Sequence, residues 1–72
     1  MAQIFSENST HLANLRAAEL TRQIAYAAAG GSQSAITAAD IAFYRSARAS
    51  AIANNCGVAQ FSDALRELGV GM

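Results

Sequence analysis

The stretch GGSQSAIT, from Gly30 to Thr37, divides the chain. Paired glycines followed by small polar residues interrupt a helix, because glycine loses the most conformational freedom when it is ordered. The sequence on both sides is rich in alanine and contains no proline, which favours helices. The pattern therefore predicts an all-α fold, with helices on either side of this linker, in one small domain over residues 1–72.

Three helices joined by glycine-containing turns are predicted, at about 8–29, 38–54 and 59–68. Ser6, Ser9 and Thr10 are candidate N-caps of the first helix. Thr37 and Asp40 have the spacing of a capping box at the start of the second.

Glycines are expected to end the second and third helices. Gly57 follows NNC, where we expect a left-handed residue after the second helix. Gly69 is expected to close the third helix in the same way.

The chain has little large apolar bulk for its length. Of 72 residues, 18 are alanine, and a domain this small is marginal without an additional source of stability. One cysteine excludes an internal disulfide, and one histidine with one cysteine cannot close a zinc site within one chain. We therefore expect no cofactor and predict that the chain gains stability from protein partners, either further copies or larger subunits.

The charge pattern bears on other classes of partner. Five arginines and five acidic residues are interspersed and give no net charge. This pattern disfavours electrostatic binding to nucleic acid, which requires a basic surface. No apolar run reaches the roughly 18 residues of a membrane span. The first ten residues lack the basic and apolar regions of a signal peptide, so we expect a chain assembled in a cytosol.

Helical spacing predicts which side chains face a core and which face a partner. In the first helix, Arg16 and Glu19 lie on a polar line between two apolar strips, which indicates either two neighbours or a helix that straddles a groove. In the second helix, Phe43 is the one large side chain on a small-residue face; it either anchors a partner or is covered within the chain. The predicted core is Leu20, Ile24, Ile41, Ile52, Phe61, Leu65 and Leu68. The predicted partner contacts are Phe5, Arg16, Glu19, Phe43, Tyr44 and Arg48.

Nothing in the sequence indicates catalysis, and we do not expect an enzyme. His11 follows Ser9 and Thr10, but neighbouring helix residues point in different directions, so we predict a polar surface histidine. Cys56 lies in the predicted turn and is expected to be inert.

A helix-turn-helix is the DNA-binding alternative. Ala53, Gly57 and Val58 have the spacing of the first helix and turn of such a motif. Asp63, however, occupies the place of an expected apolar residue, and Arg66 is the one base of the would-be recognition helix. A small regulator that binds and blocks another protein is the other alternative.

The second half of the chain resembles small uncharacterised proteins encoded among the virion genes of tailed bacteriophages. The residues that carry the likeness lie in 39–70: AFYRSARASAIANN, the CG turn and the closing FSDALRELG. The resemblance implies a multi-copy structural protein of the capsid, the head–tail connector or the tail. It also implies a location in the virion, or in the host cytoplasm before assembly, and no catalytic residues.

Overall fold

The computed structural model describes residues 8–70 as three helices. They are α1 (Ser9–Ala29), α2 (Gln33–Ala53) and α3 (Ala59–Glu67). The predicted all-α fold is confirmed.

Helix α1 begins after Asn8, whose side-chain oxygen accepts a hydrogen bond of 2.8 Å from the backbone N–H of His11. This is the N-cap, and Ser9 and Thr10 are already helical. The helix ends at Gly30, with φ 57°, and Gly31 follows with φ 85°. Both backbones lie in the left-handed region that glycine adopts without steric cost, which explains why the paired glycines end α1.

Helix α2 begins at Gln33, earlier than the predicted residue 38. Ser32 is its N-cap, and the Ser32 hydroxyl accepts from the backbone N–H of Ala35. The predicted cap at Thr37 is wrong, because SQSAIT contains no helix breaker and the helix extends back to the first capping side chain after the glycines. The linker is consequently only Gly30, Gly31 and Ser32.

The short linker turns α1 and α2 into an antiparallel helical hairpin. His11 near the start of α1 contacts Ser50 near the end of α2, and Arg22 lies 3.8 Å from Asp40. The hairpin interface is built from small side chains, which let two helices approach closely. Its buried α2 residues are Ala39, Ala47, Ser50 and Ala51.

Helix α3 packs against one side of the hairpin. Asn55, with φ 55°, takes the left-handed conformation in the turn before it. The prediction that Gly57 would do so is wrong; asparagine tolerates this conformation because its side chain hydrogen-bonds locally. Gly69, with φ 81°, does close α3 as predicted, and the N–H of Val70 donates to the carbonyl of Leu65 at 3.0 Å.

The hydrophobic core lies where α3 meets the hairpin. Phe61 and Leu65 are buried as predicted, whereas Ile41 and Leu68 are half-buried. The core cluster consists of Ala47, Ala51, Cys56 and Phe61, with Leu15, Tyr44 and Val58 packed against it.

Three residues predicted to be in the core are exposed. Leu20 is 60 % exposed, Ile24 is 71 % exposed and Ile52 is 57 % exposed. The prediction failed because α1 and α2 meet through their small residues. The large apolar side chains are therefore turned away from the hairpin interface.

We predict that the two leucines of opposite burial respond differently to truncation. Leu65→Ala should lower the free energy of unfolding by about 2–5 kcal/mol, since it opens a cavity beside Phe61. Leu20→Ala should change it by less than about 0.5 kcal/mol, because this side chain already faces solvent. Urea denaturation followed by circular dichroism measures both, and equal losses would contradict the fold described above.

Candidate protein-binding surface

A polar cluster joins α1 to α2 at the end of the hairpin away from the glycine turn. The Ser50 hydroxyl lies 2.7 Å from Nδ1 of His11 and accepts from the Asn14 amide at 2.9 Å. Asn54 donates to the Ser50 carbonyl at 2.9 Å, and Asn8 donates to the Asn54 carbonyl at 3.4 Å. Such contacts fix the register of two helices whose alanines would otherwise slide past one another.

His11 is fully buried, so the prediction of a surface histidine is wrong. Its ring packs edge-on against Phe61, with 6.1 Å between centroids, and α2 covers its other side through Ser50. A serine beside a histidine is also the arrangement of a nucleophile and its base. Here the His11 ring is fully buried between the helices, and the Ser50 hydroxyl is already bonded to Asn14.

Arg22 is the centre of a second cluster, on the side of the hairpin nearer the glycine turn. Its guanidinium lies over the Phe43 ring at 3.9 Å and forms ion pairs with Glu19 and, at 3.8 Å, with Asp40. The Tyr26 hydroxyl donates to the Asp40 carboxylate. The cluster therefore ties α1 to α2 near the glycine turn, as the Ser50 cluster does at the other end. Asp40, predicted to cap a helix, instead lies inside α2 as an acceptor for α1.

The hydrogen bonds of this cluster shift two pKa values. Burial alone would lower the pKa of Arg22, but the hydrogen bond and charge of Glu19 outweigh it, so the pKa is raised. The pKa of Tyr26 is raised by its hydrogen bond to Asp40, and further by partial burial and the negative charge of that carboxylate. Both shifts keep the groups in the protonated forms that hold the cluster together.

The face of the hairpin opposite α3 is a groove lined mainly by small side chains, with Arg22 and Phe43 in the lining of its deeper cavity. A cavity of about 110 Å³ between α1 and α2 adjoins a wider depression of about 470 Å³, and both are lined by Ala18, Thr21 and Ser46. Residues three and four apart share one face of a helix, so the lining of the groove continues as one stripe of residues along each helix. We call these two stripes the open face. On α1 the stripe is Ala17, Thr21, Ile24 and Ala28, and on α2 it is Ala35, Ala42, Ser46, Ala49 and Ala53.

The open face combines small residues with exposed large apolar ones. Ile24 belongs to the α1 stripe, and Leu20 lies at its edge, one turn before Ile24. None of the side chains of the two stripes is charged. Small holes beside exposed apolar side chains are what a partner helix requires in order to pack closely.

Most of the predicted partner contacts have a role inside the chain. Phe43 packs under Arg22 and edge-on against Tyr44, at 5.2 Å between ring centroids. Arg48 donates to the Ser62 hydroxyl of α3 at 3.2 Å, and Glu19 binds Arg22. Their contact with a partner stays a prediction.

The other two predicted contacts differ. Arg16 is exposed, and Phe5 lies outside the described residues. Leu20 and Ile24, which the sequence placed in the core, are instead exposed on the side of α1 next to the groove. The signal that could have identified them is the strip Ala13, Ala17, Leu20 and Ile24, which lies across the polar line from Leu12 and Leu15.

Metal sites and membrane-spanning helices each require a recognisable arrangement of side chains or a minimum helix length. In residues 8–70, no group of three or more His, Cys, Asp and Glu side chains is arranged to hold a metal ion. None of the three described helices combines the length and hydropathy needed to cross a membrane. Cys56 is a buried member of the core cluster, and its thiol donates to the Asn54 carbonyl at 3.6 Å.

Comparison with known proteins does not assign the chain to a family. No protein-family model, no curated protein and no solved structure matches it. The resemblance to small virion proteins of tailed bacteriophages stays a prediction.

We predict that two serines of α2 differ in their contribution to stability. Ser50→Ala should lower the free energy of unfolding by about 1–3 kcal/mol, since it removes the partner of His11 Nδ1 and of the Asn14 amide. Ser46→Ala, in the open groove, should change it by less than about 0.5 kcal/mol. Thermal or urea melts measure both, and a silent Ser50→Ala variant would contradict the buried cluster.

We also predict a loss of stability at alkaline pH that depends on Tyr26. A raised pKa in the folded state stabilises the fold below the unfolded value of about 10, and this contribution is lost as pH rises through the folded value. Tyr26→Phe should remove this part of the pH dependence in melts between about pH 8 and pH 12.

In a Tyr44→Phe variant, Tyr26 is the remaining tyrosine, so the tyrosinate absorbance reports on Tyr26. We expect this absorbance to rise only above about pH 10. If the Tyr26 titration in that variant has its midpoint at or below the ordinary tyrosine value, the hydrogen bond to Asp40 does not form in solution.

Proposed function

We propose that the chain is a structural assembly protein, which packs against other protein subunits through the open face of its helical hairpin. The observation that carries the proposal is the exposure of Ile24 and Leu20 on α1, next to a groove lined mainly by small side chains. The resemblance to virion proteins suggests the setting: a multi-copy component of a tailed-phage capsid, connector or tail.

The composition of the core supports this proposal. Three of the six buried hydrophobic residues among the described ones are alanines, which contribute little burial each. At about 25 cal/mol per Å² of apolar area, leaving Ile24 and Leu20 in water forgoes roughly 2–4 kcal/mol of burial that the chain could use. A partner that covers them supplies this stabilisation, and small domains need such a contribution.

The absence of charge on the open face favours a protein partner. A nucleic-acid surface would require arginine or lysine side chains directed at phosphates. The two stripes of the open face carry only apolar, serine and threonine side chains. Arg22 lines the deeper cavity, where Glu19 and Asp40 already compensate its charge. Burying it against protein leaves no charge unpaired, which is the condition for a stable contact.

Helix α3 is poorly suited to the DNA-binding alternative. Phe61 and Leu65 face the core, and the exposed side carries Asp63 and Glu67 beside Arg66. Arg66 forms an ion pair with Asp63, so its charge is already compensated. Two carboxylates on the outward face would repel a phosphate backbone.

The proposal predicts that the chain is a stoichiometric part of large particles. Particles from the cells that encode the chain would be purified by sedimentation, and quantitative mass spectrometry would compare its copy number with that of the main structural protein. We expect a fixed ratio for the natural chain and a strong depletion of an Ile24→Arg variant. Ile52→Arg, which changes another isoleucine that is more than half exposed but lies away from the open face, is the matched control.

Two other outcomes would overturn the proposal. Recovery of the chain only in low-mass fractions would exclude an assembly role. Recovery in an equimolar complex with one soluble protein, absent from particles, would instead identify the small regulator that binds and blocks a partner.

A further inference from the structure

We propose that the open face pairs with the open face of a second copy, so that two hairpins form a four-helix bundle with α3 on each outer side. This inference deepens the proposed function and rests on the same surface. It identifies the first partner as the chain itself, before any larger subunit is bound.

The shape of the open face indicates a second copy. Its large side chain, Ile24, lies on the α1 stripe, and the α2 stripe is small throughout: Ala35, Ala42, Ser46, Ala49 and Ala53. In a two-fold pairing whose axis runs parallel to the helices, α1 of each copy lies over α2 of the other. Each knob of one copy then meets a hole of the other, so the face is complementary to itself.

The register within one chain shows which residues would meet. Arg22 and Tyr26 both reach Asp40, so Ile24, midway between them, lies level with the segment around Ala38 to Ala42. This two-fold axis preserves the level of each residue along the hairpin. Ile24 therefore fits the hole beside Ala42 of the second copy, and Leu20 follows one turn further along at its rim.

The alternative two-fold pairing, with α1 over α1, is less favourable. It would place both α1 stripes, which carry the large Ile24 side chains, on one side of the bundle and the two small α2 stripes on the other. The two sides would then require different helix separations, which leaves a gap along α2. The α1-over-α2 arrangement gives one separation throughout.

The available area is sufficient for a dimer. Each helix of the hairpin has 21 residues, so at 1.5 Å per residue it is roughly 31 Å long. Two helices 8–10 Å apart present a face of roughly 500–600 Å², and a pair of faces buries roughly 1,000–1,200 Å². This total reaches the lower limit for specific interfaces. None of the stripe residues is charged, and the exposed Arg45, one turn before Ala49, lies at the edge of the α2 stripe. We therefore expect a dimer that dissociates on dilution.

Sedimentation equilibrium of the purified chain tests the existence of the dimer. We expect a monomer–dimer equilibrium that Ile24→Arg shifts toward monomer by at least about tenfold, equivalent to about 1.4 kcal/mol. Ile52→Arg should leave the equilibrium unchanged, because Ile52 shares its side of α2 with Tyr44 and Arg48, which contact α3 and the core. Circular dichroism of both variants verifies that the helices are retained.

Cross-linking tests the arrangement. In a Cys56→Ala background, Ile24→Cys mixed with Ala42→Cys should form a disulfide between chains faster than Ile24→Cys does alone. Preferential self-linking of Ile24→Cys would replace the arrangement by α1 over α1 and overturn this proposal. A monomer at all concentrations would overturn the dimer itself, but would leave the assembly role standing if the chain still sediments with particles.

Discussion

The close approach of two alanine-rich helices is the constraint on which the rest of this structure depends. Two 21-residue helices joined by three residues must lie antiparallel, and the small side chains between them allow their backbones to come near. Alanine gives this interface little hydrophobic free energy and little specificity of register, because a smooth surface can slide. The hydrophobic free energy and the specificity of register must therefore come from contacts other than the alanine interface.

Specificity comes from polar contacts at two levels of the hairpin. At one end the Ser50 hydroxyl is hydrogen-bonded to His11 and accepts from Asn14. Near the other end the Asp40 carboxylate accepts from Tyr26 and pairs with Arg22. Hydrogen bonds are directional, and a buried polar group that loses its partner costs free energy. If α1 slid along α2 by one turn, several polar groups would lose their partners at once. The same two clusters explain why titratable and nucleophilic side chains are found inside a protein for which we propose a structural role.

Hydrophobic free energy comes from α3 on one side and, we propose, from a partner on the other. Phe61 and Leu65 are buried against α2 and the start of α1, whereas Ile24 and Leu20 remain in water. The hairpin is thus covered on one face only. This asymmetry links the fold to the proposed assembly role, since the uncovered face is the one without charge.

The sequence by itself determined the number of helices, their approximate ends except the start of α2, and the apolar stripe of α3. Glycine breaks, capping side chains and helical periodicity are local signals, and Phe61, Leu65 and Gly69 behave as those signals predict. Periodicity also separated the two apolar strips of α1, but it could not say which strip faces α2. Only the tertiary structure decided that question. The polar partners of His11 and Asp40 lie on the other helix, 39 and 14 residues away in sequence, and their bonds set the rotation of α1 that buries His11 and exposes Ile24.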